Sequence, residues 1–229
     1  HHAAVTTNYK NPDFDWFDAL KNNTNQIDKV LLALLENRCS HVVFTGSVFE
    51  ADEGIGDQPI EAFSAYGLSK TLSWHTLRFK ARQLGMMTSK FVIPNVFGPL
   101  EDKRFTTYLA NCWLDGKKPI VQTPLYIRDN VPISLMSHAY SSMIEDAVEF
   151  DREQIFYPSF YAETQGDFAH RFAREMSPRL DCECEFELFQ QQEFPEPKKR
   201  INQNLLNPKK WNWDENEAWD ELAKYYLSI

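Results

Sequence analysis

No two cysteines in this chain are spaced C-x-x-C, and the four present are Cys39, Cys112, Cys182 and Cys184. Cys182-Glu183-Cys184 is too tight for an ordinary zinc knuckle, so no metal site is expected. Reduced, mostly buried thiols of a cytoplasmic protein are the expectation instead. Long apolar runs are missing too. The longest, Val30 to Leu35, falls far short of the roughly 20 residues that cross a bilayer, and no signal-peptide pattern opens the chain. Positive charge is scarce: 24 Lys and Arg against 33 Asp and Glu leave a net charge of −9. That balance argues against nucleic acid as the main partner, and an anionic ligand would need a local cluster of Arg and Lys. There is no internal repeat, no low-complexity tract and no initiating Met. His1-His2 suits either a tag remnant or native sequence, and the reading below favours native sequence with more chain before it.

What is present is ordinary globular material. The 229 residues are 43% hydrophobic and 14% aromatic, enough for one good core and a small second lobe. The stretch Tyr66-Gly67-Leu68-Ser69-Lys70 stands out. Ser64 can cap a helix there and Gly85 can end it, and Leu68, Leu72 and Phe79 recur near the helical period. Four residues apart on a helix, Tyr66 and Lys70 share one face. A phenol beside an ammonium is a proton-transfer pair. Free Tyr titrates near 10, so base work at neutral pH needs a shift of roughly 3 units, about 4 kcal/mol, in the direction that a fixed cation supplies. By itself the same spacing also suits a helix face half in water.

In chain order, His1-His2-Ala3-Ala4-Val5 reads as a strand end. Asn11-Pro12 opens a helix, and Asp13 to Asn37 is helical with Ile27, Val30, Leu31, Leu34 and Leu35 on one stripe, interrupted by the polar Asn22 to Asn25. His41-Val42-Val43-Phe44, ending in Thr45-Gly46-Ser47, reads as a buried parallel strand. An acidic loop over Ala51 to Phe63 precedes the Tyr66 helix. Lys90-Phe91-Val92-Ile93 is the next strand and Pro94 to Pro99 the loop after it. Beyond that, helices are expected over Arg104 to Leu114, Ser134 to Phe150, Thr164 to Met176 and Glu215 to Leu227. Short strands are expected over Pro119 to Gln122, Tyr126 to Ile133, Gln154 to Tyr157 and residues 182 to 187. Pro195 to Lys210 reads as a basic connection. The alternation is that of an α/β layered fold.

Thr45-Gly46-Ser47 at a strand end, Tyr66-Gly67-Leu68-Ser69-Lys70, and Asn95-Val96-Phe97-Gly98-Pro99 occur in the order seen in the extended short-chain dehydrogenase/reductase family, the NAD-dependent epimerase/dehydratases. His1 to Val5 resembles that family's H-x-A-A/G strand end, Asn23 its Asn before a long helix, Arg128-Asp129-Asn130-Val131 its R-D-F/Y-I/V stretch, and Trp211-Asn212-Trp213 its Leu-Gly-Trp. Each motif is weak alone, but their shared order over nearly the whole chain is specific. The resemblance implies a Rossmann-type doubly wound parallel sheet, incomplete at the N-terminus, with a small C-terminal α/β substrate lobe. Residues 1–100 would be the remainder of the dinucleotide domain, and 101–229 mainly the substrate lobe with segments returning to the sheet.

The resemblance also implies roles. Tyr66, Lys70 and one hydroxyl residue would be catalytic. Matching Val48-Phe49-Glu50 to the family's V-Y-G makes that residue Thr45; an ungapped match from Asn23 makes it Ser47, and the second register is preferred. Tyr66 as phenolate would take a sugar hydroxyl proton while hydride passes to NAD or NADP. Ala3, Ala4, Asn23, Tyr66, Lys70 and Pro94 would contact the cofactor, and Asn95, Arg128 and Arg200 a nucleotide sugar. Dehydratases of the family carry Asp-Glu after the hydroxyl residue; here Gly46-Ser47 or Val48-Phe49 stands there, which favours epimerase or reductase chemistry. The family's opening G-x-x-G-x-x-G turn, which brings backbone and a helix N-terminus to the pyrophosphate, has no match. Two or three βαβ units, about 70 residues, would be missing before His1, and tight dinucleotide binding is not expected of these residues alone. A non-catalytic relative of the same fold, serving binding or assembly, is the alternative. A homodimer through the helix before residue 38 and the Tyr66 helix is implied, although Leu31, Leu34 and Leu35 could equally serve the monomer's own core.

Overall fold

The strand His41–Ser47 alternates buried and half-buried residues because its two faces meet different helices. The computed structural model describes residues 11, 13–58, 60–101, 104–150 and 152–229; the proposed strand end with Ala3 and Ala4, and the opening Pro12, lie outside them. His41–Ser47 pairs in parallel with Met87–Ile93 in unbroken register. Met87–Ile93 in turn pairs in parallel with Ile155–Phe156. Among the described residues this is a three-stranded parallel sheet.

On one face, Val42 and Phe44 pack with Ile27, Leu31, Trp74, Leu77, Ala81 and Met86. All but Met86, which precedes the next strand, come from the helices Ile27–Glu36 and Ala65–Gln83. Burial of each large apolar chain there stabilises by about 1.5–3 kcal/mol. On the other face, Phe91 meets Tyr140 at 4.5 Å between ring centroids and Phe156 at 5.7 Å, so the part of the helix Ile133–Glu149 that starts at Tyr140 covers it. Helices on both faces of a parallel sheet make this a doubly wound Rossmann-type α/β fold.

The chain divides into two compact units. The first takes the chain up to Ile93, then Tyr140–Pro158 and Asn202–Asn204. Asn202 fixes that last short return: its Nδ2 donates to the carbonyls of Val92 and Pro158 at 2.7 and 2.9 Å. The second unit takes Pro94–Ala139, Ser159–Ile201 and Leu205–Ile229. Its strand Ile127–Pro132 pairs in parallel with Asn95–Phe97 and with Lys199–Ile201, and antiparallel with Tyr161–Thr164. Its core is aromatic, with Phe97, Trp113, Phe168, Phe172, Trp219 and Tyr226 buried together.

Several boundaries differ from expectation. The first long helix is two, Trp16–Thr24 and Ile27–Glu36, and starts at the Asp15 cap rather than at Asn11. The polar stretch Asn22 to Asn25 breaks it, as poor helix formers do. The loop after Ile93 contains the short strand Asn95–Phe97. The connection from Pro195 holds the strand Lys199–Ile201 and a single 3-10 turn, Pro208–Trp211. The helix expected to end at Met176 continues through Pro178 to Leu180, where Asp181 closes it in the left-handed region; Leu180 buries its side chain in the aromatic core, which outweighs the proline. Of the thiols, all free, only Cys184 is buried and the other three are half-buried.

Candidate functional site

Ser64, in extended backbone, accepts the Gly67 N–H at 3.0 Å and so caps the helix Ala65–Gln83 as its sequence suggests. Gly67 is needed for a different reason: a Cβ there would overlap the Phe49 carbonyl oxygen. The first helical turn therefore lies directly against the turn that follows the first strand. Thr71 reinforces this contact, donating to the Gly67 carbonyl and accepting from Ala51 N–H, both at 2.9 Å. This opening turn carries Tyr66, which is half-buried and meets the Phe14 ring edge-on with centroids 6.3 Å apart.

One turn on, Lys70 is buried. Its Nζ donates to the Thr45 carbonyl at 2.7 Å and lies 4.2 Å above the centre of the Phe44 ring. Burial pushes its pKa down to about 8, with the charge of Glu50 acting upward and that of Lys90 downward. The Thr45 hydroxyl is 2.8 Å from the Tyr140 hydroxyl, and burial raises the Tyr140 phenol above its usual range. Ser47 plays a different part. Its Oγ accepts Phe49 N–H at 3.3 Å and its own N–H donates to Glu50 Oε1 at 2.7 Å, which closes the turn after the strand. Within this unit, the Thr45 carbonyl holds Lys70, the Thr45 hydroxyl meets Tyr140, and Ser47 belongs to the turn. Asn23 Nδ2 donates to Ser73 Oγ at 3.2 Å, tying the helix Trp16–Thr24 to the Tyr66 helix.

Three residues here were not singled out by sequence reading. Tyr140 stands 95 positions from its partner Thr45, and no local pattern links them. Glu50 and Lys90 form a buried ion pair; the only sign of it was a Lys heading an otherwise apolar strand.

In the second unit, Pro94 is buried and Asn95 half-buried, with Asn95 opposite Asn130 in the sheet. The Arg128 guanidinium lies over the Tyr126 ring at 4.5 Å. It donates to the carbonyls of Ile127 and Lys198 at 3.0 and 3.1 Å and to Glu196 Oε2 at 3.0 Å. Arg200 is fully buried, at 0% exposure, so it presents no surface to a ligand. Among the described residues no group of three His, Cys, Asp or Glu could hold a metal ion, and no helix is long and apolar enough to cross a membrane.

The model of the NAD dependent epimerase/dehydratase family matches residues 1–153. A search of curated proteins finds no match. By fold, the chain is similar to UDP-N-acetylglucosamine 4-epimerase of Methanobrevibacter ruminantium, solved with UDP-N-acetylmuramic acid, at 18% identity and a TM-score of 0.73, over 99% of this chain and 75% of that one. It is also similar to the NAD complex of UDP-glucose 4-epimerase of Thermus thermophilus, at 15% identity and 0.68, over 100% and 77%. DesIV of Streptomyces venezuelae, a dTDP-glucose 4,6-dehydratase solved with NAD and TYD, is a third, at 14% identity and 0.70, over 100% and 72%.

Proposed function

The chain belongs to the NAD-dependent epimerase/dehydratase family, and from that premise we propose that it oxidises or epimerises a nucleotide-linked sugar with Tyr66 as acid and base. The observation that carries this reading is the Lys70 amine, held at the end of the first strand by the Thr45 carbonyl, one helical turn from Tyr66. A fixed cation at that place favours the phenolate form of a neighbouring Tyr.

Thr45 is our hydroxyl candidate because its Oγ1 is paired with the Tyr140 hydroxyl, whereas Ser47 is engaged in its own turn. The hydroxyl would donate to the substrate oxygen as charge develops there. Gly46 offers no side chain where a dehydratase needs an acid, which supports epimerisation or a simple oxidoreduction.

NAD would serve as hydride acceptor, a choice supported by the neighbours solved with it. The residues suit its nicotinamide ribose: an ammonium has three donors, of which one goes to Thr45. Arg128 is the candidate for the diphosphate. Its planar fork suits phosphate, and its ion pair is with Glu196, whose side chain is 47% exposed and can be displaced. A homodimer through the first helices and the Tyr66 helix is supported by the exposure of Trp16, Phe17, Leu32 and Phe79; Leu31, Leu34 and Leu35 serve the core instead.

One observation favours a second reading, a non-catalytic relative used for binding or assembly: Lys70 is only 5% exposed and already engaged internally. Titrating the protein expressed from its whole gene with NAD, then incubating it with UDP-glucose and UDP-N-acetylglucosamine, separates the two. The enzyme reading expects the 4-epimer or an oxidised sugar. Bound NAD and nucleotide sugar with neither product would overturn it.

A further inference from the structure

The strand Met87–Ile93 is buried almost throughout, yet carries a lysine at its centre. Lys90 lies opposite Phe44 in the parallel register. Its ammonium is 5.9 Å from the Phe44 ring centre and 5.3 Å from that of Trp74, so it shares their face of the sheet. It passes beneath Gly46, where a Cβ would overlap Lys90 Cε and come within 3.1 Å of Glu50 Oε1. Beyond Gly46 it donates to Glu50 Oε2 and Glu53 Oε1, each at 2.5 Å. All three residues are at most 5% exposed.

A buried ion pair of this kind is poor value for stability alone, since removing charges from water costs several kcal/mol per ion. The placement of the three residues points to a different use. Glu50 accepts from the Ser47 N–H and from Lys90, contacts suited to a carboxylate. The triad sets two carboxyl side chains around one amine, and Lys70 is the buried amine beside it: its Nζ is 4.2 Å from the same Phe44 ring centre that Lys90 Nζ approaches to 5.9 Å. We propose that Glu50, Glu53 and Lys90 form a charge-holding device that keeps Lys70 protonated in the interior and fixes the strand-end turn next to it. They are positioning residues and touch no substrate. The value of the device for catalysis rests on the role given to Lys70 above.

Among the described residues, the charged and titratable groups near Lys70 and the triad come from several elements. Glu50 and Glu53 come from the turn after the first strand and Lys90 from the second strand. Tyr66 lies on the helix of Lys70. Tyr157, beyond the third strand, faces Glu53 and Glu50, and burial raises its phenol so that it stays neutral. Burial also raises the Glu50 carboxyl against the pull of Lys90. The sign for Lys70 follows: the Glu50 charge raises its pKa, so removing that charge lowers it.

The test is a titration of the Lys70 ε-carbon by NMR in protein with carbon-labelled lysine, assigned with Lys70→Met, alongside the pH profile of turnover. The wild-type midpoint should lie at about 8. In Glu50→Gln it should fall by about one unit, a tenfold loss of proton affinity, and the alkaline limb of turnover should move down with it. Should Glu50→Gln not fold, Glu53→Gln should give a smaller shift of the same sign. An unmoved midpoint in a folded variant overturns the proposal, because a purely structural triad would not set the protonation of Lys70. A lowered midpoint with an unmoved turnover profile sustains the charge link and instead removes Lys70 from the chemistry, overturning the preceding reading.

Discussion

Tyr66→Phe should lower kcat by about 10²–10⁴-fold, the usual worth of a positioned acid–base group, while leaving NAD and nucleotide-sugar affinity nearly unchanged. The substitution keeps the ring that Phe14 meets edge-on and leaves the Ser64 cap and the Lys70 contact with Thr45 intact. Stability should fall by no more than about 1.5 kcal/mol, the upper end of what one hydrogen bond contributes. Turnover assays paired with calorimetric binding check this. A variant that turns over normally would remove the phenol from the chemistry. One that loses binding in step with turnover would make Tyr66 a binding residue instead.

Gly67→Ala should be strongly destabilising, at about 3 kcal/mol or more. The methyl would overlap a backbone carbonyl oxygen, that of Phe49, and a backbone atom cannot swing aside as a side-chain tip can. The first turn of the helix would have to leave the strand-end turn, taking Tyr66 with it and breaking the Thr71 link to Ala51. Gly85→Ala is the control. Gly85 has φ +69° but open space around its Cβ position, so only the left-handed backbone penalty of roughly 1–2 kcal/mol applies. Urea denaturation should rank Gly67→Ala well below Gly85→Ala in midpoint; the reverse order would mean that the helix start is free to move.

Local chemistry made much of this legible beforehand. Ser64 and Gly85 marked the ends of the Tyr66 helix because caps act over three or four residues. The apolar run from His41 marked a parallel strand because both its faces are covered. What escaped were features made by contacts distant in sequence. Nothing near Thr45 announces Tyr140, and nothing near Val92 announces Asn202, 110 positions away. The path of Lys90 under Gly46 needs the register of two strands, which a single sequence does not state. Thr45 and Ser47 are likewise hydroxyls on one strand, and their different partners, Tyr140 for one and the Phe49 N–H for the other, lie outside what the strand's own sequence states. Arg200 is a ligand candidate by resemblance, in a basic connection, yet the period of the strand Lys199–Ile201 turns its side chain inward, and it is enclosed.

The most direct test of the central claim is to follow hydrogen from substrate to cofactor. The whole-gene protein loaded with NAD is given a UDP-hexose deuterated at C4, and the nicotinamide is analysed by mass spectrometry. With Tyr66 acting as described, reduced cofactor carrying one deuterium appears in the wild type and is lost in Tyr66→Phe. Bound NAD that never acquires deuterium, in the presence of bound UDP-hexose, would contradict the account.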